Sequence, residues 1–305
     1  MENTDAKNVA ITQTPENREE IPTNSSQGRL TLANESSCKT GTCGNSNPEA
    51  YSNVYALGKI ETRFPSLGIE KEYTQAQARA QLSGRTDAEA FCSVLKENRY
   101  LARKLCWVLT IEGIETYILQ PRDPGDFAIL VDAIRSAPSP MDIDVVIGIK
   151  GPIASPEVCN GLTVPIVIFD KIYSFDRPSL LLSLEQQRPK DIKDDLFKNA
   201  AEEVLDKIMQ MADNAGATDE HRAVNYLALQ YDAVYITVTK YHLQNYAFSG
   251  IETRLSRLSS TRKILDVIFS FTSRTTDVIE KSFVRVDVTE EFPFLVTKLS
   301  AYYDR

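Results

Sequence analysis

Between Leu265 and Val288 the chain alternates apolar and polar residues with a period of two, and this restricts the local fold more than any other stretch. Leu265, Val267, Phe269 and Phe271 share one face, and Val284, Val286 and Val288 repeat the pattern after the polar turn Ser273 to Asp277. Successive strand side chains point to opposite faces, so such a pattern commits the segment to a half-buried antiparallel hairpin. Phe283, Arg285 and Asp287 then line up on the opposite face of the returning strand.

The segments before it alternate between helical and strand signals, which makes the fold class α+β. Tyr51 to Ile60 holds a short strand-like run, and the Ala- and Gln-rich stretch from Tyr73 to Leu105 holds two helical pieces broken near Ser83 and Gly84. CWVLTI and ETYILQ flank Glu112-Gly113-Ile114 as an antiparallel hairpin. Asp123 is placed as an N-cap with Pro124 at the first helical position, and Phe127, Leu130, Val131 and Ile134 form the buried face of that helix. DVVIGIKGPI and LTVPIVIFDKIYSF follow as strands, the second expected at a sheet edge because Pro165 has no N–H for a ladder.

Beyond QQRPKD (186–191), Ile192, Leu196, Ala200, Val204, Ile208 and Met211 recur at three and four residues, an amphipathic helix. Gly216 provides a left-handed position in the turn Asn214 to Thr218, and Thr218 starts a second helix expected to run from Asp219 to Tyr246. The architecture expected is a mixed or antiparallel sheet with flanking helices, a helical pair and the C-terminal hairpin. Residues 1–50 contain no Phe, Trp or Tyr and are expected to be a disordered polar tail. The folded part then divides into 51–188 and 189–305.

A net charge of -8 argues against a nucleic-acid partner, since phosphates need an excess of Lys and Arg. No apolar run is long enough to span a bilayer, and the N-terminal residues lack a signal-peptide pattern, so the expected location is the cytoplasm. The five cysteines are few and odd in number, and read as free, mostly buried thiols.

Chemistry-bearing candidates are sparse. A serine-protease triad needs a histidine base; the only histidines, His221 and His242, fall in expected helices with no serine motif beside them. Cys159, followed by the Asn160-Gly161 turn, is the candidate nucleophile. Cys38 and Cys43 in CKTGTC are the candidate metal ligands; two thiols fall short of a zinc set, so no cofactor is expected, with zinc as the metal to test. Arg257, Arg285 and Asp287 are the candidate peptide- or partner-binding residues, because guanidinium groups take carboxylates bidentately.

NVYALGKI, LCWVLTIEGIETYILQPRDP, DVVIGIKGPIASPEVCNGLTVPIVIFDKIYSFDR, HRAVNYLALQY and the final hairpin together resemble the C-terminal domain of PatG/PatA-type cyanobactin maturation proteases, a domain of unknown function. The resemblance covers residues 51 to 305 and implies a place in cyanobactin-like ribosomal peptide biosynthesis. In that family the domain usually follows a subtilisin-like protease; here the polar tail stands in its place, which removes the basis for transferring protease activity. The expected function is a non-catalytic accessory or scaffold protein that binds a peptide substrate or pathway enzymes, with a homodimer left open. A peptide-modifying enzyme using Cys159 or a metal is the alternative. A third reading makes the tail a docking segment or a Cys-bearing substrate.

Overall fold

Every strand of the first sheet is paired on both sides, so that sheet has no edge. The computed structural model describes residues 52–80, 85–190, 192–211 and 213–303, all within one compact unit. Strands β1 (Ser52–Arg63), β2 (Cys106–Ile111), β3 (Ile114–Pro121), β4 (Asp142–Ile153) and β5 (Pro165–Asp176) close into a barrel in the order β1-β2-β3-β5-β4. All neighbours are antiparallel except β3 and β5, which run parallel with Ile118 opposite Ile166. The edge placement expected for β5 is therefore corrected. Pro165 is its first residue, opposite Ile153, where a missing N–H removes no central ladder bond.

The period of two sorts the barrel side chains onto two faces. Val54, Ala56, Trp107, Leu109, Val146 and Phe169 join one cluster with Tyr73, Leu95, Leu101 and Leu130 of α1 (Leu67–Arg79), α2 (Asp87–Glu97), α3 (Arg99–Lys104) and α4 (Phe127–Ala133). Their neighbours Cys106 and Val108 face the loop carrying Cys159, while Tyr55, Val145 and Ile147 meet Tyr226 and Leu229. The β2–β3 turn needs left-handed backbone at Glu112 (φ 49) and Gly113 (φ 81), which explains the Glu-Gly pair. Asp123 accepts from the Gly125 amide as expected, although Pro124–Asp126 forms a 3-10 turn before α4 begins. The Ser83–Gly84 break and the tail 1–50, with Cys38 and Cys43, lie outside the described residues.

Four more helices follow: α5 (Arg177–Gln186), α6 (Asp194–Met209), α7 (Asp219–Gln230) and α8 (Ala233–Leu243). Sequence reading misses α5, although Asp176 caps it by accepting from the Ser179 amide and Pro178 sits in its first turn. In α6 the buried stripe runs through Phe197, Ala200, Ala201, Val204 and Ile208, while Leu196 is exposed. The single helix expected from Asp219 to Tyr246 is also corrected. It breaks at Tyr231 and Asp232, and Tyr246 already begins a strand.

The second sheet consists of β6 (Tyr246–Leu255), β7 (Ile264–Ser273), β8 (Ile279–Asp287), β9 (Phe294–Leu295) and β10 (Ser300–Ala301). It is antiparallel in the order β10-β8-β7-β6, with β9 also on β8. The hairpin has the expected faces: Leu265, Val267, Phe269, Phe271, Val284, Val286 and Val288 are all buried against α5–α8. Gly216 (φ 69) brings the α6–α7 turn onto β1, where the Tyr55 amide donates to Gly216 O at 2.9 Å. Asn225, fully buried, donates to Tyr55 O at 2.8 Å and exchanges hydrogen bonds with Asn214.

Candidate functional site

The cysteine candidate is corrected first. Cys159 is fully buried and disulfide-bonded to Cys106, with Cα atoms 5.7 Å apart, so it carries no thiol to ionise. The expectation of free thiols is corrected for this pair. The β2 strand and the 154–162 loop turn both side chains into one small apolar cluster, a juxtaposition that residues 53 apart do not advertise. Only Cys92 among the described cysteines is a free thiol; it is buried, and burial pushes its pKa up. Among the described residues no group of three or more His, Cys, Asp or Glu is placed to hold a metal ion.

The sheet-face candidates are each engaged within the chain. Arg285 Nε donates to Asp266 Oδ1 at 3.0 Å and to Ser256 Oγ at 3.2 Å, and its guanidinium lies over the Phe283 ring. Asp287 is fully buried; it pairs with Arg262 and accepts from the Thr289 amide. Arg285 and Asp287 thus share a strand face but have separate partners. Arg257 is exposed just beyond β6. His221 occupies the first turn of α7, where the Thr218 hydroxyl accepts from its amide. His242 Nε2 lies 3.1 Å from Glu203, and burial holds its imidazole below the ordinary value against the pull of that carboxylate.

Three adjoining cavities lie elsewhere, along the barrel rim and the ends of α5 and α6. A cavity of about 460 Å³ is bounded by Lys59 and Glu61 of β1, Thr110 of β2, Met141 before β4, Arg177 of α5 and Met209 of α6. A second, of about 470 Å³, shares Met141, Arg177 and Asp206 with it and continues along Leu181 and Glu202. A third, of about 520 Å³, shares Lys59, Glu61, Pro140 and Asp142 and extends to Phe91, Arg135 and Asp144. The first two cavities adjoin at the half-exposed Met141 and the first and third at Lys59, Glu61, Pro140 and Asp142, and the three together are called the trough below.

The walls are anchored from within. Arg177 donates from its backbone to Met141 O at 2.9 Å and from Nη2 to Asp206 Oδ1 at 2.6 Å, tying the 138–142 turn and α6 to the start of α5. Arg135 bridges Asp142, Asp144 and the Phe175 carbonyl. Asp144, almost wholly buried, accepts from the Ile60 amide at 2.7 Å; burial raises its pKa although Arg135 and its hydrogen bonds oppose this. The walls thus combine apolar Met141, Leu181, Leu205 and Met209 with side chains of both charges. Asp176-Arg177-Pro178, with its N-cap and first-turn signature, is the sequence signal that points to this wall.

A second polar cluster joins the barrel to the C-terminal segment. Arg122 Nη2 lies 2.7 Å from Asp170 and 3.4 Å from Glu291. Burial, with the hydrogen bond and charge of Asp170, pushes Glu291 up to about 7 against the opposing effect of Arg122. Buried Arg222 holds this segment down by donating to the carbonyls of Val288 (2.8 Å), Glu290 and Glu291 (3.2 Å).

A closed mixed barrel joined through helices to an antiparallel sheet defines an α+β module with a lateral trough. The PatG Domain family matches residues 53–254, and the chain belongs to that family. A solved structure described as "PatG Domain of Unknown Function" is similar in fold, with a TM-score of 0.65 and 20% identity, over 82% of this chain and 98% of that one. No curated protein matched the chain. Among the described residues no helix is long and apolar enough to cross a membrane.

Proposed function

We propose that the protein is a non-catalytic accessory or scaffold protein that binds a peptide substrate or a partner enzyme in cyanobactin-like ribosomal peptide biosynthesis. The observation that carries this reading is the row of adjoining cavities, whose apolar and mixed-charge walls suit an extended peptide. Family membership supports the setting, since the family takes its description from PatG. Arg257, exposed near the end of β6, stays in the proposal as a partner contact outside the trough, whereas Arg285 and Asp287 act mainly as internal struts. The Cys159 alternative loses its nucleophile to the disulfide.

Met141 is half-exposed, so Met141→Glu places a charge on the trough wall with little cost to packing. Binding of fluorescein-labelled precursor peptides and of the neighbouring pathway enzymes is measured by anisotropy and calorimetry. The expected result is at least about tenfold weaker binding by the variant at an unchanged melting temperature. No binding by the unmutated protein, or equal binding by both, rejects the trough as the site.

A further inference from the structure

The barrel has no edge, and one end of the second sheet is blunted by the two-residue strands β9 and β10. Its other end is β6, ten residues long, which pairs only with β7 among the described residues. An open strand edge of that length is a template for pairing with another chain. The Ser256 amide donates to Ile264 O, so by the alternation of an antiparallel ladder the even-numbered residues bond to β7. The amides and carbonyls of Ile251, Thr253 and Leu255 therefore face the open side.

The sequence along this edge is complementary to itself when reversed. Ile251-Glu252-Thr253-Arg254-Leu255 reads apolar, acidic, neutral, basic, apolar. We infer that β6 pairs with β6 of a second copy of this chain, antiparallel about a twofold axis through Thr253. In that register Glu252 lies opposite Arg254 of the partner subunit, and Ile251 opposite Leu255 of the partner subunit. The residues with outward amides meet one another, as the ladder requires. Glu252 and Arg254 already touch within the chain at 2.7 Å, so the four charges would close into one alternating ring. Leu255, 68% exposed although it lies on the sheet's core side, would gain an apolar neighbour. The bulge between Phe248 and Gly250 ends the flat part of β6 and pins the register. The short ladder makes this a weak, concentration-dependent dimer.

Sedimentation equilibrium of the full chain, from about 1 μM to about 500 μM, is expected to show a shift from one chain to two. Glu252→Arg alone and Arg254→Glu alone each set like charges opposite, twice per dimer, and should weaken association about tenfold. The double variant E252R/R254E restores opposite charges across the axis and should recover it. Thr253→Pro removes an outward amide without touching the β7 ladder and should give a monomer. If Thr253→Pro does not fold, the charge series decides alone. A monomer at every concentration, or association that neither single reversal weakens, overturns the inference, as does failure of the double variant to recover.

Discussion

Replacing Gly216 with alanine tests how the helices are fastened to the barrel. Gly216 has φ +69°, and a Cβ there would lie 2.4 Å from Tyr55 O and 2.5 Å from Ala56 Cα. Both are β1 backbone atoms, and Tyr55 O already accepts from buried Asn225, so β1 has little room to yield. The left-handed conformation costs alanine about 1–2 kcal/mol. The clash adds about 1–3 kcal/mol, as overpacking in a close-packed interior does. The expected loss is thus about 2–5 kcal/mol, a large part of an ordinary domain's stability. Gly113 is an internal control, because its φ is +81° but an added Cβ would meet nothing within 4 Å. Gly113→Ala should show only the conformational cost of about 1–2 kcal/mol. Urea titrations of both variants, followed by Trp107 fluorescence and circular dichroism, give the two losses from midpoints at constant slope. Equal losses would refute the argument that contact between the α6–α7 turn and β1, and not backbone conformation alone, demands glycine at 216.

Three other outcomes are expected. Phe269→Ala should cost about 3–5 kcal/mol because the ring is buried under α5–α8, whereas Thr275→Ala in the exposed turn should cost under about 0.5; similar values by urea melt would show the hairpin is not core. Glu291 ordinarily titrates at 4.5 and is raised to about 7, so its folded form holds the proton more tightly; its contribution is full below about pH 4.5 and is lost as pH rises through about 7. Glu291→Gln should flatten that part of the stability–pH curve, and an unchanged slope would sink the assignment. Cys106 and Cys159 close a loop of 53 residues, so reduction, or the double serine variant, should cost about 4 kcal/mol on the chain-entropy account; identical melting with and without reductant would show that the link adds nothing.

Elements with local signals are legible in the residues that form them. The turn at Glu112-Gly113, the caps at Asp123 and Thr218, the left-handed Gly216 and the alternation from Leu265 to Val288 each reside in a few neighbouring residues. Where two signals compete, the pattern misleads. Helical spacing through Tyr231 conceals the break between α7 and α8, and the run into Tyr246 hides β6. The candidate site is less legible still: alternation puts Arg285 and Asp287 on the right face, but their partners Asp266 and Arg262 emerge only once strand register is known.

By itself, then, the sequence determined the α+β class, the local turns and caps, and the buried face of the final hairpin. Backbone conformation and side-chain period are properties of adjacent residues, so the chain carries them wherever it is placed. Only the tertiary structure decided that β5 runs parallel to β3 and closes a barrel, that Cys106 meets Cys159, and that Met141, Arg177 and Asp206 share a trough. These are encounters between residues far apart in the chain. They depend on which packing satisfies all apolar faces and backbone groups at once, and no short window of sequence contains that condition.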